Sequence, residues 1–437
     1  MLVNDNSIYT IIHASSSLFL KHFPRASRLT QLARETGFIE RTPRALDLHC
    51  FVLSCLFILT QPLCSLSFQA AFLSLCAGPL SKQALHKRFK KPQLVVFLQA
   101  LLAEVLRRKQ FTATGLYQHF GRILIQDSTT IALDPKLAQA FPGPANQHRQ
   151  AQAHLRVQSL LELKSGQLLH FLLSPFTAND QAHASRWLDW IRPHDLVVRD
   201  LGYFNLKGFA MIHQAGAFFL SRLRFGIRLQ CPKTGKTLPL KHLLDPAKHT
   251  DRRVCIGKNL QVRLIAIPVP DALANERRRK ARHNRDKRLA PSALYYHALG
   301  WTILITNAHE EHLPVSQILT LYRLRWRIES VFKLWKSSCG MRNISSVGPH
   351  QSIPMILGML IFSALVHNQW IPHLQACLDP PRPLSATKLI PLTVLLLCVY
   401  MIFSSRLADN FLETIPKLAL YESRSRKTSH DLINLIP

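Results

Sequence analysis

The stretch from Tyr322 to Lys336 places one carboxylate among three cations and a phenol, groups that can form ion pairs or contact an anionic partner. Its sequence, YRLRWRIESVFKLWK, has neither Pro nor Gly and predicts a helix of about four turns. At about 100° per residue, an arc of roughly 80° carries Tyr322, Arg325, Glu329, Lys333 and Lys336. The simplest interpretation is a solvated face with i,i+4 pairs, from Arg325 to Glu329 and from Glu329 to Lys333.

The spacing of these side chains resembles a known signature. Bacterial insertion-sequence transposases of the IS-four family have the pattern Y-x2-R-x3-E-x6-K. The same pattern is formed here, without departure, by Tyr322, Arg325, Glu329 and Lys336. The resemblance implies a DDE transposase with a ribonuclease H-like catalytic domain. It also implies that Glu329 is the last member of an Asp-Asp-Glu metal triad, so two aspartates are expected upstream.

Two aspartates each follow a short apolar run. Residues 122–126, RILIQ, predict a strand that ends at Asp127, and residues 195–200, DLVVRD, predict a strand that ends on Asp200. Taken alone, such an Asp could simply cap a turn. The sequences D-S-T at Asp127 and D-L-G-Y at Asp200 nevertheless resemble the first and second catalytic blocks of the family.

The chemistry that such a triad supports is phosphodiester cleavage. Two divalent ions about 3.5–4 Å apart activate a water molecule and stabilise the leaving oxygen. Because Mg²⁺ takes oxygen ligands and keeps several waters, two or three carboxylates suffice. We expect Asp127 to bridge two Mg²⁺ ions, with Asp200 and Glu329 each completing one site; Mn²⁺ could substitute for Mg²⁺.

Further side chains are expected at DNA. Three cations share the helix face with the carboxylate and are expected beside phosphates: Arg325, Lys333 and Lys336. Tyr322 could donate its hydroxyl to a phosphate or stack on a base. The resemblance adds Arg222, which looks like an arginine near the second Asp block, and Trp301, which looks like a Trp that receives a flipped-out base. A core position is the alternative for Trp301, because its strand is rich in aliphatic residues.

The patterning predicts a multidomain α+β protein whose catalytic core is a ribonuclease H-like α/β fold. The predicted order of elements is three strands, a helix at 179–191, a strand, a helix at 205–215 and a strand. A hairpin turn is predicted at Ser165-Gly166. The expected regions are a helical N-terminal DNA-binding region (1–115), the catalytic domain (116–226 and 301–345), a β-rich basic insertion (227–300) and a helical C-terminal region (346–437). Within the insertion, residues 277–288 hold eight Lys or Arg in twelve residues, which predicts either a solvated loop or a phosphate contact.

The N-terminal region contains a helix-turn-helix candidate. A helix at Leu66–Ala77 is followed by a Gly78-Pro79 break and by Ser81, a suitable N-cap for a basic helix that runs through Phe89. Pairs of helices around a Gly-Pro break are common, so DNA contact and a purely structural role both remain open.

The composition indicates a folded protein with a polyanionic partner. Among 437 residues, 55 Lys and Arg face 25 Asp and Glu, a net charge of +30 that points to nucleic acid or an anionic membrane surface. The 47% hydrophobic content excludes a basic disordered tail. Nine Cys without a C-x-x-C pair indicate thiols in a reducing cytosol. Three apolar runs, 48–60, 353–366 and 389–403, are shorter than the roughly 18 residues of a spanning helix and predict core helices.

The leading hypothesis is a cytoplasmic, nucleoid-associated bacterial transposase. It would bind the terminal inverted repeats of double-stranded DNA, act as a homodimer in that complex, cleave the element ends and join them to target DNA by cut-and-paste transposition. The alternative is a catalytically silent, transposase-derived DNA-binding or inhibitor protein. A peripheral membrane protein is a third possibility, although neither end of the sequence shows a basic amphipathic helix.

Overall fold

The computed structural model describes residues 19–41, 46–61, 65–107, 119–144, 152–178, 187–283, 292–378 and 384–403. The chain divides into two compact units. One contains the segments up to Leu102 and from Ser338 onward, and the other runs from Ala103 to Ser337. The helical regions at the two ends of the sequence therefore belong to one unit, while the three candidate metal-binding carboxylates lie in the other.

Among the described residues, nine strands form one mixed sheet in the second unit. They are β1 (Ile123–Leu133), β2 (Ala153–Glu162), β3 (Leu168–Pro175), β4 (Leu196–Arg199), β5 (Phe218–Arg222), β6 (Leu229–Gln230), β7 (Thr250–Ile256), β8 (Leu260–Pro268) and β9 (Trp301–Thr306). Their spatial order is β3-β2-β1-β4-β5-β9-β8-β7-β6. β1 is antiparallel to β2 and parallel to β4, and β4 is parallel to β5. β9 pairs with β5 in the antiparallel direction, so the strands of the predicted insertion extend the same sheet.

The helices of the described segments lie in both units. They are α1 (Ala26–Glu35), α2 (Leu48–Phe57), α3 (Leu66–Ala77), α4 (Lys82–Phe89), α5 (Pro92–Arg107), α6 (Leu206–Gln214), α7 (Asp271–Arg282), α8 (Ala293–Ala298), α9 (Val315–Leu324), α10 (Trp326–Ser337), α11 (Pro349–Leu365), α12 (Ile371–Leu378) and α13 (Ala386–Phe403).

Several predicted boundaries are confirmed, and local chemistry explains them. The Ser81 side chain accepts a hydrogen bond from the Ala84 N–H at 3.1 Å and begins α4, as an N-cap should. Asn205 caps α6 in the same way through the Gly208 N–H, at 2.9 Å. The hairpin between β2 and β3 turns at Gly166, whose φ of 73° lies in the left-handed region that glycine tolerates.

Other boundaries were predicted wrongly. β1 does not end at Asp127 but continues to Leu133, because β2 keeps pairing with it along the whole length. The first half of the basic stretch 277–288 belongs to α7 instead of a loop, since it has no helix breaker, and residues 284–288 lie outside the described residues. Of the predicted helix at 179–191, residues 179–186 also lie outside them, and Leu188–Trp190 form a short 3₁₀ turn.

The signature stretch 322–336 is likewise not one helix. α9 ends at Leu324 and α10 begins at Trp326, with a turn at Arg325. The Arg325 N–H donates to the Tyr322 carbonyl at 3.2 Å, and the Ile328 N–H donates to the Arg325 carbonyl at 3.3 Å. Both bonds span three residues instead of four, so the ladder tightens locally to 3₁₀ geometry. The side chain at this turn is the one that reaches Asp127, as described below.

The apolar runs are packed helices, but one of them is longer than expected. Residues 353–366 belong to a continuous helical stretch, Pro349–Cys377, which is long and apolar enough to cross a membrane. Its most apolar window is 83% buried within the protein, as expected for a core helix. Gly358 shows how closely α11 is packed, because a Cβ there would lie 2.2 Å from the Cys55 carbonyl oxygen of α2.

The register of the central strands assigns side chains to the two faces of the sheet. Gln126, Arg199 and Ser221 lie side by side on β1, β4 and β5 and point to one face. On that face the sheet packs with α6, where the rings of Phe209 and Phe219 stack with centroids 4.4 Å apart. The next residue on each strand faces the opposite way, and these three residues are Asp127, Asp200 and Arg222.

Candidate active site

Three carboxylates from three elements meet on the face of the sheet opposite α6. Asp127 lies in β1, Asp200 follows β4 directly, and Glu329 lies in the first turn of α10. β4 stops pairing with β1 at Arg199–Gln126, so both aspartates stand where the parallel pairing ends. The charges of Asp200 and Glu329 both act on Asp127, which places the three groups within electrostatic reach of one another.

Arg325 joins two of these carboxylates. One guanidinium nitrogen, Nη1, lies 2.7 Å from Oδ2 of Asp127, and the other, Nη2, lies 3.1 Å from Oε1 of Glu329. The arginine is only 6% exposed. Asp127 uses its second oxygen, Oδ1, to accept the Ser128 N–H at 2.8 Å. Both oxygens of Asp127 therefore have a partner within the protein.

Tyr322 and Arg222 complete this face. The Tyr322 hydroxyl donates to Oδ1 of Asp200 at 3.4 Å. Burial raises the pKa of Tyr322, and the Asp200 charge raises it further, so the phenol remains a donor. The positive charge of Arg222 opposes this shift, which places its guanidinium close to the phenol. The site thus brings together five of the residues expected from the sequence: Asp127, Asp200, Tyr322, Arg325 and Glu329, with Arg222 beside them.

Burial is the largest influence on the pKa values of the site, and neighbouring charges modify it. Burial raises the pKa of Asp127 to about 6, against the lowering effects of the Ser128 N–H and of Arg325, and Asp200 and Glu329 raise it further. Burial alone would lower the pKa of Arg325, but Asp200 and Asp127 outweigh burial and the net shift is upward. The carboxylates therefore hold a cation firmly at their centre.

Two lysines lie on the outer side of α10, Lys336 of the signature and Lys333 beside it. Lys333 is exposed and Lys336 is half-buried, and within the described segments neither takes part in an ion pair. Trp326, which was not singled out from the sequence, is 58% exposed, and its ring centroid lies 5.4 Å from the Arg325 guanidinium carbon. At about 100° per residue Trp326 lies opposite the buried Trp335 and next to Lys333, so the helical spacing is the signal that could have found it.

Trp301 lies away from this group. It is 7% exposed and belongs to the core on the α6 face of the sheet. The β5–β9 register pairs Ser221 with Ile305, and alternation along β9 puts Trp301 on the same side as Ile305. Its ring packs against that of His297 at 4.7 Å. Of the two interpretations given for Trp301, its position fits that of a core residue.

Oxygen donors of this kind suit Mg²⁺ or Mn²⁺, and their mutual repulsion is what a divalent ion would relieve. As placed, however, no group of three or more His, Cys, Asp or Glu side chains in the described part of the chain is arranged to hold a metal ion. The Arg325 guanidinium stands between Asp127 and Glu329. The oxygen donors of these three carboxylates thus suit a divalent metal ion, and in this structure the Arg325 guanidinium is the cation that contacts two of them.

Comparison with known proteins identifies the family. The family described as "Transposase DDE domain" matches residues 118–365, which is more than half of the chain. The chain belongs to this family of transposases. Family membership implies a DNA-cleaving and strand-transferring enzyme encoded by an insertion sequence, as the signature at 322–336 predicted.

Relatives support the same assignment. The transposase for insertion sequence element IS231B of Bacillus thuringiensis subsp. berliner is 30% identical over 341 residues, covering 71% of this chain and 70% of that protein. The transposase for IS1151 of Clostridium perfringens is 25% identical, covering 77% and 76%. A solved piggyBac transposase synaptic complex with hairpin DNA aligns over 98% of this chain and 88% of its own, with 9% identity and a TM-score of 0.48, too low to bear on the fold.

Proposed function

We propose that this protein is a cut-and-paste transposase that binds the terminal inverted repeats of its element, cleaves at the element ends and joins them to target DNA. The observation that carries the proposal is that Asp127, Asp200 and Glu329, the three acidic residues that the signature and the two Asp blocks single out, lie within electrostatic reach of one another. The strand order β3-β2-β1-β4-β5, with β4 and β5 parallel to β1, supports a ribonuclease H-like catalytic core.

In this proposal Asp127, Asp200 and Glu329 hold two Mg²⁺ ions, or Mn²⁺ in their place. When bound, such ions supply an activated water and neutralise charge on the leaving oxygen. Arg222, Lys333 and Lys336 would contact DNA phosphates and fix the strand against the carboxylates. Tyr322 would keep Asp200 in position and could also donate to a phosphate.

DNA affinity would come from several basic surfaces. The net charge of +30 supports a duplex partner. α7 carries a run of cations, Arg277–Lys280 and Arg282, of which Arg277 is anchored to the Trp301 carbonyl at 3.0 Å. In the other unit, α3 and α4 form the proposed helix-turn-helix, and α4 exposes Lys82 and Lys87. Two element ends require at least a homodimer in the DNA complex, which would act at the bacterial nucleoid in the cytoplasm.

The alternative is a catalytically silent relative that binds element ends without cutting them. It would keep the fold and the basic surfaces. The complete set of three carboxylates speaks against it, because a silent protein has no need for converging acids whose charges repel one another.

The test is to incubate the purified protein with end-labelled DNA that carries the inverted repeats flanking its gene. The proposal expects strand cleavage at the element ends with Mg²⁺, no cleavage with EDTA, and joined products when target DNA is added. Specific binding without any cleavage in Mg²⁺ or Mn²⁺ would favour the silent relative. Absence of specific binding would contradict both.

A further inference from the structure

Arg325 occupies the place at which the carboxylates of the proposed active site need a cation. Its guanidinium bridges residues from two elements that are far apart in sequence, Asp127 on β1 and Glu329 on α10. A planar fork with several donors can serve two carboxylates at once, which a point charge cannot do as well. Arg325 is 6% exposed, whereas the side chains of Asp127 and Glu329 are 17% and 28% exposed, so water screens the attraction only in part.

This arrangement opposes the binding of a metal ion to Asp127. Oδ2 of Asp127 is bonded to the guanidinium at 2.7 Å, and Oδ1 accepts the Ser128 N–H at 2.8 Å. A divalent ion at either oxygen would be repelled by the positive charge as long as the guanidinium stayed. Metal binding at Asp127 is therefore weakened until Arg325 withdraws.

The structure also offers the guanidinium a way out. Arg325 sits at the turn between α9 and α10, where the backbone ladder is irregular. Its guanidinium carbon already lies 5.4 Å from the ring centroid of Trp326, which is 58% exposed, so the guanidinium has a neighbour that reaches solvent. A DNA phosphate is the ligand best able to receive it, because arginine binds phosphate through the same two-pronged geometry as carboxylate.

We propose that Arg325 is an internal counter-cation that keeps Asp127 and Glu329 together in the DNA-free protein, and that a DNA phosphate draws it away so that metal can bind. Metal binding and DNA binding are then coupled through one side chain, and each strengthens the other by the same factor. This inference rests on the proposed function. It makes Arg325 a positioning residue, with a role in addition to the phosphate contact expected from the signature.

The experiment measures Mn²⁺ binding to the full-length protein without DNA, by the loss of the free Mn²⁺ signal in electron paramagnetic resonance. Asp127→Asn defines which part of the binding belongs to this site. Arg325→Gln should bind Mn²⁺ at the Asp127-dependent site at least about tenfold more tightly than the wild type, a difference of about 1.4 kcal/mol. Arg327→Gln is the matched control, since its guanidinium contacts the Leu163 carbonyl at 3.1 Å and not the carboxylates; it should bind like the wild type.

A second arm adds duplex DNA that carries an element end. DNA should tighten Mn²⁺ binding several-fold more in the wild type and in Arg327→Gln than in Arg325→Gln. The reason is that Arg325→Gln has no guanidinium to be withdrawn from Asp127 before the metal binds. If Arg325→Gln melts below the assay temperature, Arg325→Lys replaces it. A lysine keeps the charge but cannot bridge both carboxylates, so it should give a smaller gain in affinity.

The outcomes separate the two proposals. In one outcome, the folded Arg325 variant without DNA binds Mn²⁺ no more tightly than the wild type does, and the DNA-bound wild type shows Asp127-dependent binding. That outcome would overturn the counter-cation role and leave the proposed function intact. Absence of Asp127-dependent Mn²⁺ binding in every variant, with and without DNA, would overturn the metal assignment itself and the counter-cation role with it.

Discussion

Replacing Trp301 by Ala is the change that best separates a core residue from a DNA-contacting one. The indole is 7% exposed and packs in the core on the α6 face. A buried Trp removes about 150–250 Å² from water, worth about 4–6 kcal/mol at 25 cal/mol per Å². Its Nε1–H has no hydrogen-bond partner within the described residues, and such a buried donor costs about 1–3 kcal/mol. The net loss of stability in Trp301→Ala should thus be about 3 kcal/mol, at the lower end of the usual range.

The assay is urea unfolding of the wild type, Trp301→Ala and Trp301→Phe, combined with end binding and first-strand nicking of labelled DNA. Trp301→Phe keeps most of the apolar contact and removes the unpartnered N–H, so it should lose about 1 kcal/mol or less. In Trp301→Ala, binding and nicking should fall together as the folded fraction falls, and both should recover at lower temperature.

The opposite result is equally clear. If Trp301→Ala is as stable as the wild type, binds ends and makes the first nick, yet stalls at a later step, then the indole contacts DNA and its burial has been misjudged. Rescue of that stall by an abasic site at the terminal position would point to a flipped base.

Three further changes probe the cations and the pH dependence of the fold. Lys336→Ala should lower the slope of log affinity against log salt by about one, because the lysine contacts a phosphate in the proposed complex. An unchanged slope would mean that Lys336 faces solvent and contacts no phosphate. Arg325→Lys should lower the cleavage rate even where binding is kept, because an ammonium does not replace the guanidinium fork, as single-turnover rates would show. Burial lowers the pKa of His170 to about 4, and its ring stacks on Trp190 at 4.4 Å. Because the folded pKa lies below the ordinary value of about 6.5, the neutral ring's stabilisation is lost as pH falls from about 6.5 to about 4. By pH 5 the full loss would be about 2 kcal/mol, and because the ring is partly exposed we expect about half of that; urea unfolding of His170→Phe should lack this pH dependence.

The sequence could predict which acids meet because their identities depend on short-range patterns. Asp127 and Asp200 each follow an apolar run, and the spacing from Tyr322 to Lys336 resembles a signature that includes Glu329. These patterns say nothing about partners that are distant in the chain. The contact between Arg325 and Asp127 joins residues 198 positions apart, and it accompanies the turn that divides the predicted helix.

The side on which a strand residue points depends on register, which a single strand does not reveal. The sequence could place Trp301 on a strand before the Glu329 helix but could not tell which face it occupied. The pairing of Ser221 with Ile305 decides that point. Similarly, β1 continues beyond Asp127 because β2 pairs with it, and the β-branched Thr129, Thr130 and Ile131 are the local signal that could have predicted this.

The most direct test of the account is cleavage of labelled element ends by Asp127→Asn, Asp200→Asn and Glu329→Gln in Mg²⁺. Each change keeps the size of the side chain and removes a charged oxygen, so each should abolish cleavage while specific end binding remains close to that of the wild type. Asp189→Asn, at an exposed aspartate outside the site, is the matched control and should cleave normally. Near wild-type cleavage in any one of the three variants, measured at equal DNA occupancy, would contradict the assignment of that residue and with it the proposed triad.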